Sequence, residues 1–398
     1  MSRRYVSTAA LTSTLALAFA AAPAAAQTTV ALDAQAGIGY SSNPFLIAGD
    51  DSGSVFTELT IQPELLYRDE LGDAGIIGHY RRSDYFDRYD SVDSYGAEAR
   101  ARRQLTPTLS GRASIVYDSS ILGQNGTGIV GVVDPTLPPV IGTPDITLLG
   151  LGQRQESLVA TVGTDWQVSE RDMANAQASV STIDYGDGPL LTSSRTVSGT
   201  LGYSRSISAR TSVGAQVSGS WVDFGRSNYS GQYYQPQLTV THQVSPTLRF
   251  TVAAGPLFVI SKTDRGTEKT TGFSGNFSGC QDGERAVTCV RAYSDAQPTG
   301  LGDISKRWGG AVDYSYLLRE FDIVRASADY SRVNATSNLL QVPTVSYLTG
   351  SATYEHGFSR RWFAGLSGSY RQVDGNGFAR TSDASVRVFI RTRLGDTK

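Results

Sequence analysis

The chain has 398 residues, with 35 Lys and Arg against 37 Asp and Glu, a formal charge of −2. A balance so near neutral argues against nucleic acid as a partner. Two Cys and three His leave little from which to build a metal site, and no cofactor motif is present.

Arg3 and Arg4 precede an apolar stretch from Ala9 to Ala22, which ends on Ala24-Ala25-Ala26. This reads as a signal peptide over residues 1–26 with cleavage before Gln27. Removing two Arg leaves 33 basic residues against 37 acids, so the mature chain carries −4. No later segment approaches eighteen consecutive apolar residues, so helical membrane spans are not expected. Residues 27–398 instead alternate with period two. Val30, Leu32, Ala34, Ala36, Ile38 and Tyr40 oppose Ala31, Asp33, Gln35, Gly37 and Gly39. Val55, Leu59, Ile61, Leu65 and Tyr67 oppose Glu58, Thr60, Gln62, Glu64 and Arg68. Successive side chains of a strand point to opposite faces, so one face suits lipid and the other water. The same alternation runs through Val213 to Trp221, Trp308 to Tyr316 and Trp362 to Tyr370.

Short connections are expected near 69–73, 105–108, 169–172, 206–210, 245–247, 319–322 and 357–361. Long ones are expected near 41–54, 86–93, 119–154, 186–196, 223–232, 261–304, 332–344 and 372–383. The two kinds alternate, and together they predict an all-β, antiparallel transmembrane β-barrel of about sixteen strands, with fourteen or eighteen as alternatives. Short turns would lie in the periplasm and long loops outside, in the outer membrane of a Gram-negative bacterium. Twenty Tyr suit the aromatic girdles of such a wall. Pro63, Pro236 and Pro256 fall within strands, where each removes a ladder donor, and local bulges are expected there.

Three stretches resemble the outer-membrane β-barrel porin family linked to exopolysaccharide systems of Gram-negative bacteria. They are Ser41-Ser42-Asn43-Pro44-Phe45, the tyrosine-rich segment from Tyr80 to Gly96, and Gln104 to Asp118. The close resemblance covers about the first quarter of the mature chain. It implies an outer-membrane barrel engaged in porin-like transport or polysaccharide export, with export proteins as partners. The last strand, Ala384 to Leu394, is followed by Gly395-Asp396-Thr397-Lys398, where barrels of this kind often end on an aromatic. Phe389 and Leu394 are then the residues left to address the barrel-insertion machinery.

Parity assigns the lumen side chains. Arg81, Arg100, Arg102, Arg112, Arg325, Arg371, Arg387 and Arg391 face inward, as do Glu58, Glu64, Glu98 and Asp313. Asp33, Asp165, Asp329 and Glu355 join them. Two readings of this set stand side by side: a network of paired charges stiffening a wet lumen, and a basic track favouring anionic or sugar-acid solutes. Cys280 and Cys289 fall in the longest expected outer loop and are expected to form a disulfide staple. The loop from Ser119 to Arg154, with Leu137-Pro138-Pro139-Val140, is expected to cover the mouth, with folding into the lumen as the alternative. His79, His242 and His356 fall in the periplasmic halves of their strands, away from a Ser or Asp at the outer rim, so an enzyme is not expected. The leading expectation is passive diffusion of small hydrophilic solutes. An accessory role in exopolysaccharide export and a surface receptor or adhesion barrel are the alternatives.

Overall fold

Wherever the sequence alternates with period two, the chain is extended and paired to a neighbour. The computed structural model describes residues 27–49, 53–124, 145–186, 191–225, 229–264, 266–335, 344–375 and 378–395. The signal-peptide residues and the Leu137–Val140 segment lie outside them.

The strands are β1 (Gln27–Ser41), β2 (Ser54–Arg68), β3 (Gly72–Tyr85), β4 (Val92–Thr106), β5 (Leu109–Ile121) and β6 (Arg154–Gln167). They continue with β7 (Asp172–Asp184), β8 (Ser194–Ser206), β9 (Thr211–Phe224), β10 (Ser230–Gln243), β11 (Leu248–Thr263) and β12 (Gly266–Asp282). The last six are β13 (Ala286–Pro298), β14 (Ile304–Arg319), β15 (Asp322–Ala335), β16 (Val345–Gly357), β17 (Trp362–Gly375) and β18 (Phe378–Gly395). Each pairs antiparallel with its sequence neighbours, and β18 pairs with β1 from Ala31↔Gly395 to Ser41↔Ser385. The result is a closed barrel of eighteen strands. Closure removes both sheet edges, which an open sheet would have to protect. No helix among the described residues is long and apolar enough to cross a membrane.

The two strands beyond the expected sixteen come from one place. The stretch 261–304, expected as a single outer loop, folds as the hairpin β12–β13. Its alternation is hard to see because the apolar face of Phe273 and Phe277 is thinned by Gly275 between them and Gly279 after them, while the other face from 272 to 278 is Gly, Ser and Asn. Connections therefore do not alternate strictly between short and long. β11 and β12 pair right up to Thr263↔Gly266, and β17 and β18 up to Gly375↔Phe378, so two loop-end connections are as tight as turns. Cys280 and Cys289 are consequently not in an outer loop. They are bonded to each other as register partners in the wall, beside the turn at 283–285.

The expected proline bulges are absent as well. Register is the same on either side of Pro63 in both of its pairings. Pairing of β2 with β3 lapses at Gln62 and Pro63, and pairing of β10 with β11 lapses between Tyr234↔Phe258 and Leu238↔Ala254. The unbroken register puts Pro236 opposite Pro256, so both missing donors fall at one place, while Pro236↔Val217 and Pro256↔Phe273 stay paired. Among the described residues, register shifts occur only near strand ends, at Gln104/Thr106, Leu317/Arg319 and Val373/Gly375.

The outward face carries the exposed apolar side chains, among them Val30, Ile38, Leu59, Leu201, Leu238 and Ile390. Aromatics ring both ends of that face. Tyr40, Tyr95, Trp221, Trp308 and Tyr370 stand toward the loop end, and Trp166, Tyr203 and Trp362 toward the turn end. Leu394 is outward and exposed, whereas Phe389 is inward and buried.

Candidate functional site

The inner face is identified by contacts between strands that are not neighbours. Side chains converge on the concave side of a barrel, so groups two strands apart can meet there. Glu58 of β2 accepts hydrogen bonds from Arg81 of β3 (Nε, 2.8 Å) and from Arg387 of β18, reaching across β1. β1 leaves room for this with Gly37 and Gly39. A Cβ on Gly39 would come within 2.8 Å of Phe56, and one on Gly37 within 2.8 Å of the Val388 carbonyl oxygen.

Register carries this face around the barrel and places Arg81, Arg100, Arg102, Arg112, Arg325, Arg371, Arg387 and Arg391 on it, with Glu58, Glu64, Glu98 and Asp313. Most of them meet an opposite charge. Arg112 bonds Asp165 at 2.5 Å and Gln177 at 3.2 Å. Glu355 takes Arg325 at 3.1 Å and Arg391 at 3.4 Å, and Asp33 lies 3.9 Å from Arg391. Glu64 takes Arg393 at 3.4 Å, and Asp313 takes Arg291 at 2.8 Å. Asp329 shares the inner face with these groups. Arg307 and Asp295, 2.7 Å apart, form a further pair, with Asp295 in the stretch expected as loop. Arg393 had the same parity as Arg387 and Arg391 and was legible from it. Arg100 and Arg102 differ from the rest. Among the described residues neither forms an ion pair, and register sets Arg102 beside Arg112 and Arg100 beside Ser114.

The inner face of β7 to β10 is uncharged through its middle. Gln216 bonds Gln237 at 2.6 Å, Gln237 bonds Ser274 of β12 at 3.1 Å, and Ser179 bonds Ser198 at 2.6 Å. The lumen thus has an arc of fixed charge and an arc of amides and hydroxyls.

At the loop end, connections fold over the mouth and meet one another. Arg371 is only 3% exposed. It donates to Asp383 at 2.6 Å, to the Gly123 carbonyl at 2.5 Å and to the Pro44 carbonyl at 3.1 Å. Asp383 also accepts from the Ser41 hydroxyl at 2.6 Å and the Asn43 amide at 2.9 Å. The stretch 372–383 was expected as loop, which hid Asp383. Gly123 and Gly150 adopt φ near +85° and flank the 43–47 backbone, where a Cβ would lie 2.9 Å from the Phe45 carbonyl oxygen and 2.7 Å from that of Leu46. Only glycine takes that conformation at that approach without strain. Residues 122–124 and 145–148 at the described ends of the 119–154 loop are buried within the mouth, and β4, β3, β2, β1 and β18 lie between β5 and β17, so the Arg371–Gly123 bond reaches across five intervening strands.

A second knot is Asp145, ahead of the 3-10 turn Ile146–Leu148. It accepts from the Thr147 hydroxyl at 2.6 Å and the Gly300 amide at 2.6 Å, with the Tyr185 hydroxyl at 3.4 Å. Burial pushes the Asp145 carboxyl up despite these donors, and burial with the adjacent Asp145 charge holds the Tyr185 hydroxyl well above its usual range. Asp303 accepts from the Ser261 hydroxyl at 3.2 Å and the Ile304 amide at 2.7 Å, while its Oδ2 is buried with no hydrogen bond. Burial pushes its carboxyl up to about 6. These residues lie in connections, where no periodicity marks them.

The histidines are not isolated. His79 sits 3.1 Å from Asp118 on the inner face, slightly to the loop side of mid-strand, and His356 sits 2.6 Å from Asp322 beside a turn. His242 bonds the Thr211 hydroxyl at 2.8 Å on the outward face.

No family model matches the chain, and no curated protein matches it in sequence. Solved barrels match in outline. OccK9 (OpdG) of Pseudomonas aeruginosa is 12% identical with a TM-score of 0.47, over 92% of this chain and 99% of that one. OccK2 (OpdF) of the same organism is 10% identical with a TM-score of 0.47, over 92% and 98%. The FrpB iron transporter from Neisseria meningitidis is 8% identical with a TM-score of 0.47, over 92% and 81%.

Proposed function

We propose that this chain is an outer-membrane channel for passive diffusion of small hydrophilic solutes, with its turns in the periplasm and its loops outside. The observation that carries the reading is the closed eighteen-strand wall, apolar and girdled by aromatics outside, polar within. A barrel of this strand count encloses an aqueous path unless loops fill it. Arg100 and Arg102, free of carboxylate partners, give that path an anion preference. The facing arc of Gln, Ser and Thr offers donors and acceptors to sugar hydroxyls. The other arginines are neutralised by neighbours and stiffen the wall, so both readings of the charged set apply, to different residues. Exposed Leu394 is the C-terminal side chain available to the insertion machinery. The chemistry is that of a conduit, with no catalysis assigned.

Single-channel recording of the refolded mature protein in planar bilayers tests this. Stable open steps with a zero-current potential on the anion side are expected in a salt gradient. Correctly folded barrel that never conducts would overturn the reading.

A second reading, an accessory of exopolysaccharide export, is favoured by the loops gathered in the mouth around Asp145 and Asp383. It predicts loss of surface polymer on deletion with solute permeability unchanged. Cys280 and Cys289, bonded in the wall beside the turn at 283–285, lend the surface-receptor alternative no support.

A further inference from the structure

The wall is not uniformly zipped. β12 and β13 share the shortest ladder in the barrel, eight rungs from Gly275↔Ser294 to Asp282↔Val287. Above Gly275, β12 continues to Gly266 paired only with β11, and β13 continues to Pro298 paired only with β14. A slit therefore opens between them toward the loop end.

The tip of the β13–β14 hairpin has left this slit and lies inside the barrel. Ala296 and Ile304 belong by parity to the outward face of their strands, yet Ile304 is fully buried and Ala296 nearly so. Both pack with Leu257 and Val259 of the inner face of β11, and with Val222 and Phe224 of β9. A Cβ on inward-facing Gly231 would meet the Ile304 side chain at 2.3 Å. An outward face can touch the inner wall only if the tip has folded in front of it. Polar latches hold it there: Ser261 to Asp303, the Gly300 amide to Asp145, and the Thr192 amide to the Gly300 carbonyl at 2.7 Å.

We propose that this hairpin tip is a gate with two seats. Tucked, as seen here, it narrows the lumen. Released, it continues the existing β12–β13 register upward, Ser274 opposite Asp295 and Gly272 opposite Gln297, which closes the slit and clears the lumen. The released seat lengthens the β12–β13 ladder beyond its present eight rungs. It also turns Ala296 and Ile304 outward, where their apolar side chains suit lipid. One apolar face thus fits both seats, and the Cys280–Cys289 bond anchors the base about which the tip swings.

The proposal rests on the channel reading for its current readout but not for its structural one. In the variant Gly272→Cys/Gln297→Cys, the new pair would stand in the released state as Cys280 and Cys289 do now, inward and in register. Oxidation of folded protein is expected to cross-link it and to raise single-channel conductance, with wild type taken through the same redox cycle as reference. Ser261→Ala/Ile304→Ala, which weakens the tucked seat, is expected to raise open probability without any cross-link. Absence of the cross-link in folded barrel overturns the gate, as does a cross-link that leaves conductance unchanged. If pure wild-type protein never conducts, the channel reading fails by itself, and cross-linking yield still decides whether the tip moves.

Discussion

The barrel has two seams of opposite construction. At β1–β18, where the ends of the chain meet, the ladder runs for eleven rungs, and Glu58 gathers Arg81 and Arg387 across it. At β12–β13, strands adjacent in sequence share eight rungs, a disulfide sits at the turn end, and the upper part is open. The seam that is hardest to close is thus the one of the two locked by charge and by the longer ladder. The seam that needs only a three-residue turn is stapled at its base and left free above. Strength has gone where closure demands it, and freedom remains where a moving element can use it.

The sharpest way to break this contrast is at Glu58, whose side chain is 2% exposed. Glu58→Ala leaves two guanidinium groups facing each other without a carboxylate. Breaking a buried pair in this way costs roughly 3–5 kcal/mol. A large fall in the urea midpoint of folded barrel is expected, and a midpoint unchanged from wild type would show that charge does not lock the closing seam. Cys280→Ser/Cys289→Ser should cost less, about 2–3 kcal/mol in the chain-entropy view of so short a loop. It should also broaden the spread of conductance levels, since the gate loses its anchor.

The pH dependence of current sharpens the comparison further. Burial in the tucked seat pushes the Asp303 carboxyl up to about 6, and release would return it toward solvent and remove that cause. The tucked state therefore binds a proton more tightly, and its charge-burial cost grows as pH rises through this interval. Acidification from about pH 7 to about pH 4 should favour tucking and reduce conductance. Asp145, joined to the tip through Gly300, is shifted the same way and acts in the same sense. Glu268 on β12 bears on Asp303 and raises it, Lys306 lies on β14 beside it in sequence, and the Tyr185 hydroxyl is displaced beyond this window. Asp303→Asn should weaken the dependence, and conductance that rises on acidification would contradict the assignment. The smallest effect expected is on selectivity alone. Arg100→Gln/Arg102→Gln should lower the anion-to-cation permeability ratio several-fold with stability unchanged, read from the zero-current potential.

Much of this was legible in the sequence, and the reason is the period of the strand. Because inward and outward positions alternate through the middle of each strand, one correctly placed residue such as Glu58 or Arg112 fixes the facing of its neighbours along the strand. The prolines did not disturb that parity, since pairing lapses beside them without an inserted residue. What stayed hidden had no period to reveal it. β12 reads as polar loop because Gly, Ser and Asn fill its inner face and glycines interrupt its outer one. Asp145 and Asp303 lie in connections, and their importance comes from Gly300 and Ser261, partners distant in sequence.

The Glu58 cluster also bears on the order in which the barrel is made. Arg81 lies 23 residues from Glu58, and Arg387 lies 329 residues away. Chain closure over so long a separation is slow and entropically costly, and local hairpins form first. Glu58 therefore has a partner from the moment β2 and β3 pair, and holds its second acceptor oxygen open until the last strand arrives. The β2–β3 hairpin carries, from early in assembly, the receptor site for the last strand.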